Sequence, residues 1–144
     1  MPTQRDLNII EDQPPVKIWG EDFDDMESVK LFKGKFVMTD DGKLFAKLYP
    51  KTEWDNIEFF HDMLLEELGV KDAKSMDIKE VVTGGGKIEV ELMDDFAECR
   101  LHGKSTIYGE YDPDAVDKKA LVNEIREVFD LDDLPVTVIA DFEE

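Results

Sequence analysis

Basic residues, histidines and cysteines are scarce in this chain, and each scarcity excludes something. Its 144 residues carry 17 Lys and Arg against 36 Asp and Glu, a formal net charge of −19. Sequence-independent binding to a phosphate backbone needs a basic footprint, so no direct nucleic-acid binding is expected. The same charge repels anionic membranes. The single cysteine, Cys99, rules out an internal disulfide and suits a reducing compartment. No apolar run reaches the length of a membrane-spanning helix. The N-terminal run Met1-Pro2-Thr3-Gln4-Arg5-Asp6 lacks the basic and apolar regions of a secretory leader. A cytoplasmic protein is expected.

What is abundant is acid. Solubility alone accounts for that. Salt adaptation fits less well, because the basic residues that remain are mostly lysines, only Arg5, Arg100 and Arg126 being arginine. Carboxylates can also stand in for the phosphates of a nucleic acid. An acidic decoy for a basic partner protein is therefore an alternative function.

A length of 144 residues suits one domain, able to bury roughly 70% of its unfolded surface. Residues 1–27 read as an acidic, flexible tail, with Pro14-Pro15, the run Glu21 to Asp25 and sparse apolar residues. Ile9, Ile10, Val16, Ile18 and Trp19 have the character to add a short strand or patch. Residues 28–144 read as a single α+β domain. Phe36-Val37-Met38 and Leu44 to Tyr49 flank Thr39-Asp40-Asp41-Gly42, a strong hairpin signal, and Pro50 closes the second strand.

A helix is predicted over 53–68 from the stripe Trp54, Ile57, Leu64, Leu65 and Leu68, with Thr52 as N-cap and Gly69 after its end. Strands are predicted over Ile78 to Thr83, Lys87 to Leu92 and Ala97 to His102, the first two joined by Gly84-Gly85-Gly86. Cys99 alternates inward with Ala97 and Leu101. His102 shares the wet face with Arg100. A second helix follows Asp112-Pro113-Asp114, and Leu134 to Ala140 is a last strand before a frayed acidic end. The order ββ-α-βββ-α-β predicts about six strands in a mixed, mostly antiparallel sheet with two helices.

Three short segments carry chemistry. His61 sits in the gap of the first helix's apolar stripe and so points to the core or its edge; imidazole suits nucleophilic or acid/base work near neutral pH. Gly84-Gly85-Gly86-Lys87 is no Walker loop: the spacing is wrong and a strand follows. It reads as a plain hairpin, or as backbone that approaches an anion with Lys87 adding charge. Gly103-Lys104-Ser105-Thr106-Ile107-Tyr108-Gly109 reads as a polar loop, or as a nest of N–H groups with Ser105 as an extra donor. The acidic cluster Asp130, Asp132 and Asp133 lacks the spacing of an EF-hand loop. No metal or cofactor is expected.

Taken together, Phe60-His61, Gly84-Gly85-Gly86-Lys87-Ile88 and Gly103-x-Ser105-x-x-Tyr108-Gly109 resemble, in order and spacing, the Janus/Ocnus family, which includes the protein histidine phosphatase. The resemblance covers about residues 36–140. It implies a small α+β domain and metal-independent removal of phosphate from phosphohistidine. His61 would be nucleophile or general base, and Gly86, Lys87, Ser105, Thr106 and Ile107 would hold the phosphoryl group. Lys87 would stand in the place of the family's arginine, Phe60 in that of its tyrosine. Lys43 or Lys47 would supply its strand lysine. The substrate would be a phosphorylated protein or a small phosphoramidate. A third reading is a domain of this fold without the chemistry.

Overall fold

The computed structural model describes residues 2–20, 30–54 and 57–140. Its elements are α1 (Pro2–Glu11), β1 (Val16–Gly20), β2 (Leu31–Thr39), β3 (Leu44–Pro50), α2 (Lys51–Trp54), α3 (His61–Glu67), α4 (Met76–Val81), β4 (Val82–Leu92), β5 (Ala97–His102), α5 (Lys118–Phe129) and β6 (Val136–Ala140). The six strands form one mixed sheet in the order β1-β3-β2-β4-β5-β6. The three inner pairings are antiparallel, and β1 and β6 add parallel edges. The α+β class, strand count and mixed sheet agree with the sequence reading; among the described residues five α-helices replace the expected two.

The sheet separates two cores. Phe32, Phe36, Ile88, Val90, Cys99 and Leu101 face α5, which contributes Leu121, Ile125 and Phe129. On the opposite face Val37, Phe45 and Tyr49 meet Leu64 and Leu65 of α3, Ile78 of α4 and Ile10 of α1. The β2–β3 turn forms as expected: Gly42 takes φ +88, and Thr39 N–H donates to the Lys43 carbonyl at 2.9 Å. Such a φ suits glycine because it has no Cβ.

Five expectations are corrected. Residues 2–20 are not a flexible tail: they form α1 and β1, with Ile10, Val16 and Ile18 buried and β1 paired to β3. The rest of that segment, 21–27, lies outside the described residues, as does the acidic end 141–144. The helix expected over 53–68 is two helices. Trp54 and Phe59 both pack on the Tyr49 ring, with centroids at 6.0 and 5.8 Å. In a continuous helix side chains five apart point about 140° apart, so extended backbone at Phe60 brings both to one target.

The strand expected at Ile78 is α4, because Ser75 caps it by accepting the Ile78 N–H at 3.3 Å. The glycine triplet is not a hairpin: β4 runs straight through it, paired to β2 from Glu91 back to Gly84. Finally, the helix expected from Asp112 begins later. Asp112 caps only a short 3₁₀ turn, Pro113–Ala115, and Asp117 caps α5 by accepting from Ala120 N–H.

Candidate phosphoryl site

The glycine triplet lies where four backbones crowd together. A Cβ at Gly84 would sit 2.5 Å from the Glu110 oxygen, one at Gly85 2.6 Å from the Phe36 oxygen, and one at Gly86 2.4 Å from the His102 oxygen. Gly85 is hydrogen-bonded to Gly109 (N–O 3.2 Å), which fastens the 105–109 turn to β4. Above Gly85 two side chains converge. Its missing Cβ would lie 3.1 Å from His61 Cδ2 and 3.3 Å from Ser105 Cβ. The fold thus brings His61, the glycines and Ser105 together.

His61 begins α3 and is 5% exposed. Its Nε2 lies 2.9 Å from the Gly86 carbonyl oxygen. A carbonyl only accepts, so the neutral ring carries its proton on Nε2 and leaves the Nδ1 lone pair bare. Burial pushes the imidazole's pKa down to about 4; the Gly86 bond and Asp62 oppose this, and Lys35 and Lys87 reinforce it. A neutral imidazole at physiological pH is the form that attacks phosphorus or takes a proton from water.

Ser105 is 2% exposed. Its Oγ accepts N–H bonds from Ile107 at 3.2 Å and Tyr108 at 3.0 Å, while Ser105 and Gly109 exchange backbone bonds. The Ile107 N–H turns inward to the hydroxyl. With both acceptor positions of Oγ filled, the Ser105 O–H is left as a donor. Thr106 is exposed at the turn's tip, and Ile107 packs partly into the α3-side core.

Cations line up beside this point. Register pairs Lys47 with Lys35, Lys35 with Lys87 and Lys87 with His102, giving a basic row across β3, β2, β4 and β5. Lys47 is closed off: its Nζ donates to both Glu67 oxygens at 2.9 Å and lies over the Tyr49 and Phe59 rings. Burial opposes its charge, yet the bonds to Glu67 and Tyr49 hold its pKa above the usual lysine value. Lys43 reaches the α1 carbonyls of Ile10 and Glu11. Lys35 lies nearer the candidate site: its charge acts on His61 and its Nζ lies 5.4 Å from the Phe60 centroid. Burial, then repulsion from Lys87, lowers the Lys35 pKa.

Lys35 was not singled out in the sequence, where Phe32-Lys33-Gly34-Lys35-Phe36 reads only as alternation; strand pairing identifies it. Lys87 is exposed at the end of the triplet. His102, expected on the surface, is 8% exposed, and neither ring nitrogen has a hydrogen-bond partner among the described residues.

Among the described residues no group of three or more His, Cys, Asp and Glu side chains is placed to hold a metal ion, and no helix is long and apolar enough to cross a membrane. Neither a protein-family model nor a curated protein sequence matches the chain.

Proposed function

We propose that the chain is a phosphatase of the Janus/Ocnus type acting on phosphohistidine or a related phosphoramidate without a metal. The observation that carries this reading is the neutral imidazole of His61, oriented by the Gly86 carbonyl and set beside Ser105 and the paired lysines Lys35 and Lys87. In a chain of net charge −19, two lysines in register next to one histidine concentrate positive potential where a phosphoryl group would lie.

The lone pair on His61 Nδ1 attacks phosphorus as the P–N bond to the substrate imidazole breaks, and the departing nitrogen takes a proton from solvent. Water then attacks the phosphorylated His61, releasing inorganic phosphate and restoring the Nδ1 lone pair. If His61 instead acts as general base, Nδ1 takes the proton of the attacking water. The Ser105 hydroxyl and the two ammonium groups stabilise charge on the phosphoryl oxygens in either route.

The test is phosphate release from phosphohistidine in the presence of a chelator. Wild type should turn over, and His61→Ala should lose about 10²- to 10⁴-fold in rate. Lys35→Met and Lys87→Met should each lose about tenfold, as expected for one charge-assisted contact. Equal rates for wild type and His61→Ala would end the proposal.

A further inference from the structure

A second polar recess lies further along the same sheet face. Gly85, beneath His61 and Ser105, and Lys87 are two residues apart on β4 and so share a face, about 7 Å apart. Lys87, Lys33, His102, Glu89 and Trp54 line a pocket of about 170 Å³ there. Lys33 and Glu89 pair across its rim at 3.5 Å. His102 Nε2 lies 3.6 Å from the same Glu89 oxygen, too far for a hydrogen bond.

Two features of this pocket are costly as they stand. A ring that is 92% buried keeps both nitrogens without a hydrogen bond, which forfeits the solvation those groups had in water. Among the described lining residues three basic side chains, Lys33, Lys87 and His102, accompany one carboxylate, Glu89, in a chain of net charge −19. A compact oxyanion relieves both. It accepts from the imidazole, draws on Lys33 and Lys87, and competes with Glu89 for them. Trp54 gives the recess an aromatic wall. This histidine is independent of the one proposed to do chemistry, and among the described residues Lys87 is the side chain the two places share.

We infer that the pocket bounded by Lys33, Lys87 and His102 is an anion subsite that receives a second oxyanion, a carboxylate or phosphate, about one strand repeat from the phosphoryl group at His61. Its use for substrate rests on the phosphatase reading, and points to phosphoramidates carrying a further acidic group close to the P–N bond. Binding of the anion does not rest on that reading.

The experiment is therefore done on His61→Ala protein, where His102 is the sole imidazole. Inorganic phosphate is titrated in, against sodium chloride of matched ionic strength, while the His102 Cε1–H NMR signal is followed. A saturable shift specific to phosphate is expected. Lys33→Met should weaken binding about fivefold and Glu89→Gln should strengthen it by a similar factor, each reflecting one charge at the pocket rim. Ser105→Ala should leave it within about twofold. The inference is overturned if phosphate up to about 50 mM moves the signal no more than chloride does. It is equally overturned if Ser105→Ala abolishes the shift while Lys33→Met and Glu89→Gln leave it intact. Loss of catalysis with retained binding would sink the phosphatase reading and spare the subsite.

Discussion

The Nε2 of His61 and the carbonyl oxygen of Gly86 lie 2.9 Å apart, joining the first residue of α3 to the centre of β4. This contact fixes the ring's tautomer, and burial fixes its charge. With a folded pKa of about 4 against an ordinary 6.5, the unfolded chain binds more protons between those values. The His61 contribution to stability is thus complete above pH 6.5 and declines as pH falls from 6.5 towards 4. An NMR titration of the His61 ring should show a midpoint well below pH 6, and phosphohistidine hydrolysis should persist at pH 5.5. A midpoint near 6.5 would contradict the burial of the ring.

Filling the glycine triplet should separate structural from catalytic roles. Gly84→Ala and Gly86→Ala place a methyl against backbone oxygens 2.5 and 2.4 Å away, which backbone cannot yield cheaply. Each should lower unfolding stability in urea by about 1–3 kcal/mol. Gly85→Ala adds contact with His61 and Ser105, so it should also shift the His61 resonance and depress hydrolysis. Unchanged urea midpoints in all three would mean that the strand is not crowded there.

Asp6 ties α1 to the domain. Its buried carboxylate accepts the Lys71 and Asp72 N–H bonds at 3.0 and 3.1 Å. The Lys71 bond, more than the desolvation that opposes it, holds its pKa below the usual 3.8. Its contribution is present above pH 3.8 and is lost as pH falls through the lowered folded value. Asp6→Ala should cost about 1–3 kcal/mol and speed hydrogen exchange of α1 amides. If exchange in α1 is already as fast as in an unstructured peptide, the helix is not anchored by this residue.

Cys99 should be inert while the protein is folded. Burial, with a smaller push from Glu98, raises its thiol pKa to about 12, and the side chain is fully enclosed in the α5-side core. Since the thiolate is the reactive form, a thiol reagent should label it only at the rate of unfolding. Labelling at the rate of a free thiol would place Cys99 outside the core.

Much of the fold was legible because its signals are local. Asp41-Gly42 between apolar runs gives the β2–β3 turn, and alternation over Ala97 to His102 marks β5 with Cys99 inward. The site was legible only in part. His61, Gly86, Lys87 and Ser105 were named from motif and spacing, whereas Lys35 and the buried state of His102 were not. A lysine alternating along a strand gives no sign of the neighbour it will meet. Register decides that, by setting Lys35 opposite Lys87 and Lys87 opposite His102.

By itself the sequence determined the class, the acidity, the inner hairpins and the candidate residues, since turn chemistry, period and charge are properties of neighbouring residues. Only the tertiary structure decided that residues 2–20 complete the sheet and its α3-side core, and that the triplet is a crowded strand rather than a turn. These depend on contacts between segments distant in the chain: α1 against the Lys71–Asp72 backbone, and β4 against β2, β5 and the 105–111 loop. Close packing, rather than local propensity, selects the backbone path at such places.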